Sequence, residues 1–170
     1  QDRSGAVTAK NIPHPAPRPA VPEDASRLLS LAERAYTPWV EVIGAVPLPM
    51  TAEYGSFIAD HEVWVTGPEE APSGALVLVK EPDHLLLWSI AVDPAAKGTG
   101  LGNFLLNFTL NRAEELGLPE VRLFTNVLMD TNRTWYARHG FLETGRKQIG
   151  DKHVVYMARP VEPGSEHNPV

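Results

Sequence analysis

The sequence predicts an α+β (mixed α/β) domain centred on one mixed sheet, and two observations carry that expectation. Stretches of two-residue apolar period alternate with stretches of helical period, in the order strands, helix, strand, helix, strands. The unit from His84 to Thr125 reads strand, helix, strand, which implies at least one parallel pair joined by a right-handed crossover. A chain of 170 residues with 43% hydrophobic and 21% charged content is a globular chain long enough for one domain with a real core.

Residues 1–15 read as a flexible N-terminal segment and 161–170 as a flexible C-terminal tail, with the domain between them at 16–160. Pro13, Pro15, Pro17, Pro19 and Pro22 forbid a helix there and weaken any strand to an edge. Pro22-Glu23-Asp24 opens the first helix, its acids favoured by the helix dipole, and Leu28, Leu29, Ala32, Ala35 and Tyr36 give it an apolar face. A second helical stretch is expected around Trp39 to Ile43, and Pro47 and Pro49 break the chain after it. Thr51 reads as the N-cap of a short helix through Ile58.

Strands follow at Glu62–Thr66, Ala75–Lys80 and His84–Val92, the first two joined by a Gly-, Pro- and Ser-rich hairpin loop. A long helix runs from about Gly100 to Leu116, with Leu101, Phe104, Leu105, Phe108 and Arg112 on one stripe and Gly117 as its C-cap. Val121–Thr125 is a short strand and Asp130–His139 a helix closed by Gly140. Phe141–Ile149 and His153–Ala158 are two last strands flanking a turn at Gly150-Asp151.

The composition excludes several classes of function. A net charge of -6 argues against nucleic acid as the main partner. There are no cysteines, so disulfides, thiolate nucleophiles and Cys-ligated zinc are ruled out. The histidines show no His-Glu-x-x-His spacing, the serines no Gly-x-Ser-x-Gly elbow, and no metal is expected. With no apolar run of membrane-spanning length and no apolar leader core at the N-terminus, the default expectation is a soluble cytoplasmic protein without a membrane partner.

The sharpest local feature is the loop Lys97-Gly98-Thr99-Gly100-Leu101-Gly102 between a strand and an amphipathic helix. Glycines let backbone approach a ligand closely, and a helix N-terminus adds free N–H donors and a positive dipole end, so the loop reads as a pyrophosphate cradle to which Lys97 adds a charge. A plain strand-to-helix turn needs fewer glycines. The P-loop and the dinucleotide fingerprint both fail at Asn103.

The loop resembles the Arg/Gln-x-x-Gly-x-Gly/Ala signature of the GNAT superfamily, the acetyl-CoA-dependent N-acetyltransferases. Ile90-Ala91-Val92-Asp93-Pro94 is similar to the strand before that loop, and Asn132-x-x-x-Tyr136-x-x-x-Gly140-Phe141 to the family's second block. Arg18 through Ala25 resembles its opening strand and first helix, so that about residues 16 to 160 follow the family in order. The resemblance implies a splayed mixed sheet of about seven strands flanked by about four helices.

It also implies roles for individual residues. Acetyl-CoA, as acyl-donor co-substrate, would lie with its pyrophosphate on the N–H groups of Gly98, Thr99, Gly100, Leu101 and Gly102, beside Lys97. Its pantetheine arm would pair with the main chain of Ile90, Ala91 and Val92 and touch Asn132. Tyr136 matches the general acid that hands a proton to the departing thiolate. Many members carry a Glu in the strand before the loop, and here that strand has Trp88-Ser89 and no carboxylate. His84, on the same face as Trp88 by the two-residue period, is the stand-in base; Glu53, Tyr54 and Asp60 are weaker ones, or the amine loses its proton to solvent. Tyr36, Tyr54 and Trp88, with Trp39 and Trp64, are candidate linings of the acceptor site.

The acceptor implied is a primary amine of a small molecule or peptide, and the acidic chain mildly favours a cationic one. Two other readings stay open: a non-catalytic acyl-CoA-binding module of the same fold, and an acyltransferase using another acyl-CoA or acceptor. The family is often dimeric, and terminal strands could pair across a homodimer.

Overall fold

The structure, a computed structural model, describes residues 13–162. Seven strands form one sheet: β1 (Arg18–Pro19), β2 (Glu62–Thr66), β3 (Gly74–Lys80), β4 (Leu85–Val92), β5 (Glu120–Asn126), β6 (Leu142–Ile149) and β7 (Lys152–Pro160). Four helices flank it: α1 (Ala25–Ile43), α2 (Tyr54–Asp60), α3 (Leu101–Glu115) and α4 (Asp130–Arg138). The sheet order is β1-β2-β3-β4-β5-β7-β6, with β4 and β5 the parallel pair and the others antiparallel. The mixed sheet and the crossover through α3 agree with the expectation from sequence.

Two apolar cores lie on opposite faces. On one, α3 buries Leu101, Leu105, Leu106 and Leu110 against Leu76, Leu87 and Val121. On the other, α1 buries Leu28, Leu31 and Ala32 with Tyr54 of α2 against Val63, Val65 and Val77. Arg112, at the polar end of the expected α3 stripe, clamps Glu62 at 2.7 and 2.8 Å and stacks over Trp64 at 5.7 Å. Asp24 ends a short 3₁₀ turn (Pro22–Asp24) and is fully buried. It accepts from Arg18 at 2.9 and 3.1 Å, Arg27 at 3.2 Å and the Val21 N–H at 2.9 Å, fastening the edge strand to α1. These donors, Arg18 first, hold its carboxyl down at about 2.

Two expected boundaries differ. The separate helical stretches before and after residue 37 are one helix that carries Pro38 inside it. Pro38 lies on the exposed side of the helix, and the Thr37 hydroxyl bonds back to the Glu33 carbonyl. Thr51 does not cap a helix: it ends a 3₁₀ turn (Leu48–Thr51), and α2 starts three residues later, where the Glu53 carbonyl accepts from Ser56 and Phe57. The expected flexible ends 1–15 and 161–170 lie outside the described residues except at 13–15 and 161–162. There the Pro15 carbonyl accepts from the Thr66 hydroxyl, and the Val161 N–H donates to the Pro119 carbonyl.

Candidate active site

The site begins where β4 leaves β5. The two strands pair only through Leu85↔Val121 and Leu86↔Arg122, so β4 runs on to Val92 with its β5 edge unpaired. A bulge accompanies the divergence. Val77 opposes Ser89 while Leu78 opposes Leu87, leaving Trp88 as an extra residue. Trp88 stacks on Phe57 at 4.5 Å and Ser89 meets Tyr36 of α1, so two successive side chains face the α1 side. Beyond them the alternation is reversed, with Ile90 and Val92 packed on the α3 side and Ala91 in the α1 core.

A first cavity, about 410 Å³, opens where β4 turns into α3. Gly98 and Gly100 have φ of +81° and +86°, which side chains rarely adopt, and Gly100 is the left-handed N-cap of α3. The N–H groups of residues 98–102 donate to no backbone carbonyl among the described residues and stand at the positive end of α3. Lys97, Gly98, Gly100, Leu101 and Gly102 line this cavity. Thr99 does not: its hydroxyl donates to the Ala96 carbonyl at 2.6 Å, and its carbonyl accepts from His14 Nε2 at 3.0 Å. The far wall is Trp135 of α4, whose indole N–H donates to Asn103 Oδ1 at 3.0 Å. Asp93 steadies the loop by accepting from the Ala95 N–H and from Arg34 of α1, and these donors hold its carboxyl below the usual range.

A second cavity, about 460 Å³, lies on the α1 side of β4, β5 and β7. Its walls include Trp88, Phe124, Met129, Val154 and Tyr156, and the chain from Ile43 to Pro49 roofs it. Tyr36, Ile90, Asn132 and Tyr136 line both cavities and so mark where the two meet. Tyr36 donates to the Ile90 carbonyl at 2.9 Å and lies 3.3 Å from Ser89 Oγ. Burial pushes its phenol pKa up.

Tyr136 is 7% exposed, its ring fixed by Trp135 at 5.0 Å and Phe141 at 5.7 Å. Its hydroxyl has no hydrogen-bond partner among the described residues, and burial, with Tyr36 nearby, raises its pKa well above that of an ordinary tyrosine. It is therefore a protonated phenol at neutral pH, free to serve one new acceptor.

The structure does not bring every sequence candidate to this place. Tyr54 lines neither cavity: it is buried under α1 and donates to the Pro49 carbonyl at 2.6 Å. Trp64 lies on the α3 face against Phe108. His84 also lines neither. Its Nδ1 pairs with Asp83 at 2.8 Å at the far end of β4, about 13 Å along the strand from Trp88. Neither Glu53 nor Asp60 reaches the walls, and Ala91 is buried away from both cavities. Trp39 falls in the first cavity. Sequence reasoning missed Phe124, Asn126, Lys152, Val154 and Tyr156, which stand on one face of β5 and β7. The two-residue alternation 152, 154, 156 was a signal for the β7 set. Among the described residues, no cluster of His, Asp or Glu could hold a metal, and no helix is long and apolar enough to cross a membrane.

Residues 26–141 match the family model described as Acetyltransferase (GNAT) family. No curated protein matches the chain. Among solved structures, the ribosomal-protein-S18-alanine N-acetyltransferase of Escherichia coli is 18% identical, covering 90% of this chain and 97% of its own, with a TM-score of 0.70. The PaiA N-acetyltransferase of Thermoplasma acidophilum, in complex with coenzyme A, is 15% identical over 85% of this chain and 98% of its own, with a TM-score of 0.69. A GNAT-family protein from Desulfovibrio desulfuricans is 18% identical over 86% and 99%, with a TM-score of 0.71. At such identities the likeness is one of fold, and it matches the seven-stranded sheet and four helices described above.

Proposed function

The chain belongs to the acetyltransferase (GNAT) family, and from that premise we propose that it is a cytoplasmic N-acetyltransferase moving an acetyl group from acetyl-CoA to a primary amine of a small molecule or peptide, by direct attack in a ternary complex. The observation that carries this reading is the buried, unpartnered hydroxyl of Tyr136 at the junction of two cavities.

The first cavity suits the donor. The free N–H groups of residues 98–102 and the Lys97 ammonium offer a fixed positive field to a pyrophosphate, and a Cβ at Gly98 would meet nothing within 4 Å, so the loop face is open. The unpaired edge of β4 at Ile90–Val92 offers main-chain groups to the pantetheine amides, although Tyr36 already holds the Ile90 carbonyl. Asn132 and Tyr136 complete the passage. Acetyl-CoA supplies the activated acyl group as a thioester.

In the reaction the amine nitrogen bonds the acyl carbon and the carbon–sulfur bond breaks. Tyr136 gives its hydroxyl proton to the leaving sulfur, the nitrogen loses one proton to solvent as the amide forms, and Tyr136 is reprotonated from solvent. Such assistance is typically worth ~10²–10⁴-fold. Among the described residues no Asp, Glu or His lines the second cavity, so the amine enters already neutral, its proton lost to solvent. The same lack of a base favours, as an alternative, a binding module that holds acyl-CoA without transfer. The apolar second cavity favours, as another, a transferase for a different acyl-CoA or acceptor.

The test is the melting temperature with and without excess acetyl-CoA, for the natural protein and for Gly100→Glu. A ligand at ~100 times its Kd adds ~2.7 kcal/mol. A rise that vanishes in Gly100→Glu supports the donor site on the loop; no rise in a folded natural protein sinks the reading. Thiol release with an amine panel then separates transferase from binding module.

A further inference from the structure

We infer that the acceptor is a compact apolar amine that also carries an acidic group, a hydrophobic amino acid in type, with Lys152 receiving the acid. This rests on the acetyltransferase reading and narrows it.

The acceptor cavity is apolar over most of its wall, with Ile43, Leu48, Trp88, Phe124, Ile149 and Tyr156 contributing carbon surface. Leu48 and Ile149 at its mouth are 54% and 52% exposed, which is unusual for large apolar side chains and leaves apolar surface for an occupant to cover. Burying an apolar side chain there gains roughly 25 cal/mol per Å².

Charge decides what accompanies that side chain. Among the described residues Lys152 is the one charged residue on the cavity wall, and it makes no ion pair with any of them. It stands at the start of β7, and Val154 and Tyr156, which follow it at the two-residue period, line the same cavity. A carboxylate bound beside the ammonium would gain a charge-assisted hydrogen bond. A diamine or polyamine would bring a second cation into a low-dielectric space whose only fixed charge has the same sign, with no carboxylate to offset desolvation. The overall acidity of the chain, which favours a cationic acceptor at long range, is not repeated on this wall.

The polar groups proposed to face the reacting nitrogen come from other elements than Lys152. Tyr36, Ser89, Asn132 and Tyr136 cluster where the cavities meet, while Lys152 sits in the β6–β7 hairpin. An occupant with an amine towards one pole, an acid towards the other and an apolar side chain between them matches this order.

The experiment measures thiol release from acetyl-CoA with L-phenylalanine, L-leucine, 2-phenylethylamine and spermidine as acceptors, in the natural protein, Lys152→Gln and Lys152→Arg. An apolar amino acid should exceed 2-phenylethylamine in kcat/KM by about tenfold or more. Lys152→Gln should erase that advantage by raising KM for the amino acid at unchanged kcat, leave 2-phenylethylamine as it was, and be rescued by Lys152→Arg. Preference for spermidine or 2-phenylethylamine, indifference to Lys152→Gln, or no turnover of either amino acid by a protein that acetyl-CoA stabilises would each overturn the inference alone. Failure of acetyl-CoA to stabilise the natural protein would overturn the acetyltransferase reading beneath it.

Discussion

The two cavities meet at Tyr36 and Tyr136 and have similar volumes, yet they are built from different materials. The cavity proposed for the donor is centred on main chain: the glycine loop from Lys97 to Gly102, of which Thr99 alone does not line it, a helix N-terminus and an unpaired strand edge. The acceptor cavity is side chains drawn from α1, β4, β5, α4 and both strands of the last hairpin. Main chain offers the same donors whatever the letter, so the first cavity can hold one invariant ligand. Side chains differ with every letter, so on the proposed reading the second would set the acceptor.

The sharpest way to test this division is at the border. Tyr136→Phe keeps the packing against Phe141 and removes only the hydroxyl, so kcat should fall by ~10²–10⁴-fold, with stability and acetyl-CoA binding retained. A full loss of acetyl-CoA binding would instead place Tyr136 in the donor cavity alone. Gly100→Glu should cost the ~2.7 kcal/mol of ligand stabilisation expected at ~100 times Kd. Its left-handed φ would strain any side chain by a further ~1–3 kcal/mol, read as a lower melting temperature without ligand.

A third test loosens the acceptor side from below. Asp24 anchors α1, which brings Tyr36 to the border and Ile43 to the roof. Its carboxyl is lowered to about 2 in the fold, against an ordinary value of 3.8. The stabilisation is therefore complete above the ordinary value and is lost as pH falls through about 2, a change of about 2 kcal/mol. Urea titrations at stepped pH should show this loss, and Asp24→Asn should abolish that part of the dependence. The smallest effect is expected for Tyr36→Phe. It frees the Ile90 carbonyl, lowering stability by about 1 kcal/mol. The KM for acetyl-CoA should change more than the KM for the acceptor if that carbonyl belongs to the donor side.

The same division explains what could be read from the sequence. The glycine loop, its flanking strand and helix, and the Asn132-to-Phe141 block are local patterns, and their positions in the fold follow from chain order. Within them, the Thr99 side chain turns back onto its own backbone, as its bond to Ala96 shows, and leaves its N–H as the group that could serve the loop. The acceptor cavity was hardly legible. Phe124 and Tyr156, like Asn126 and Val154, become neighbours only through the β5–β7 pairing, which no short window displays. Tyr54 and Trp64 misled for the complementary reason. An aromatic in an amphipathic segment looks the same whether its face meets a cavity or the core. His84 shares Trp88's face as the period requires, and distance along the strand removes it.

The extra residue at Trp88 makes β4 sensitive to length in a way it is not sensitive to composition. Letters there can change within limits of size and polarity, since Trp88, Ser89 and Ile90 are each met by a few neighbours. Count cannot. Deleting Ser89 would set Trp88 opposite Val77 and remove the bulge, leaving Ile90 and Val92 on the α3 face and Ala91 on the α1 face in strict alternation, while taking away the side chain that meets Tyr36. The core would keep its pairing and the variant should still unfold cooperatively, but without the bulge that accompanies the divergence β4 should close towards β5, and acetyl-CoA should no longer raise the melting temperature. Along this stretch, divergence is expected to proceed by substitution, and insertions or deletions to collect in the Ile43–Pro49 roof and the hairpin turn at Gly150.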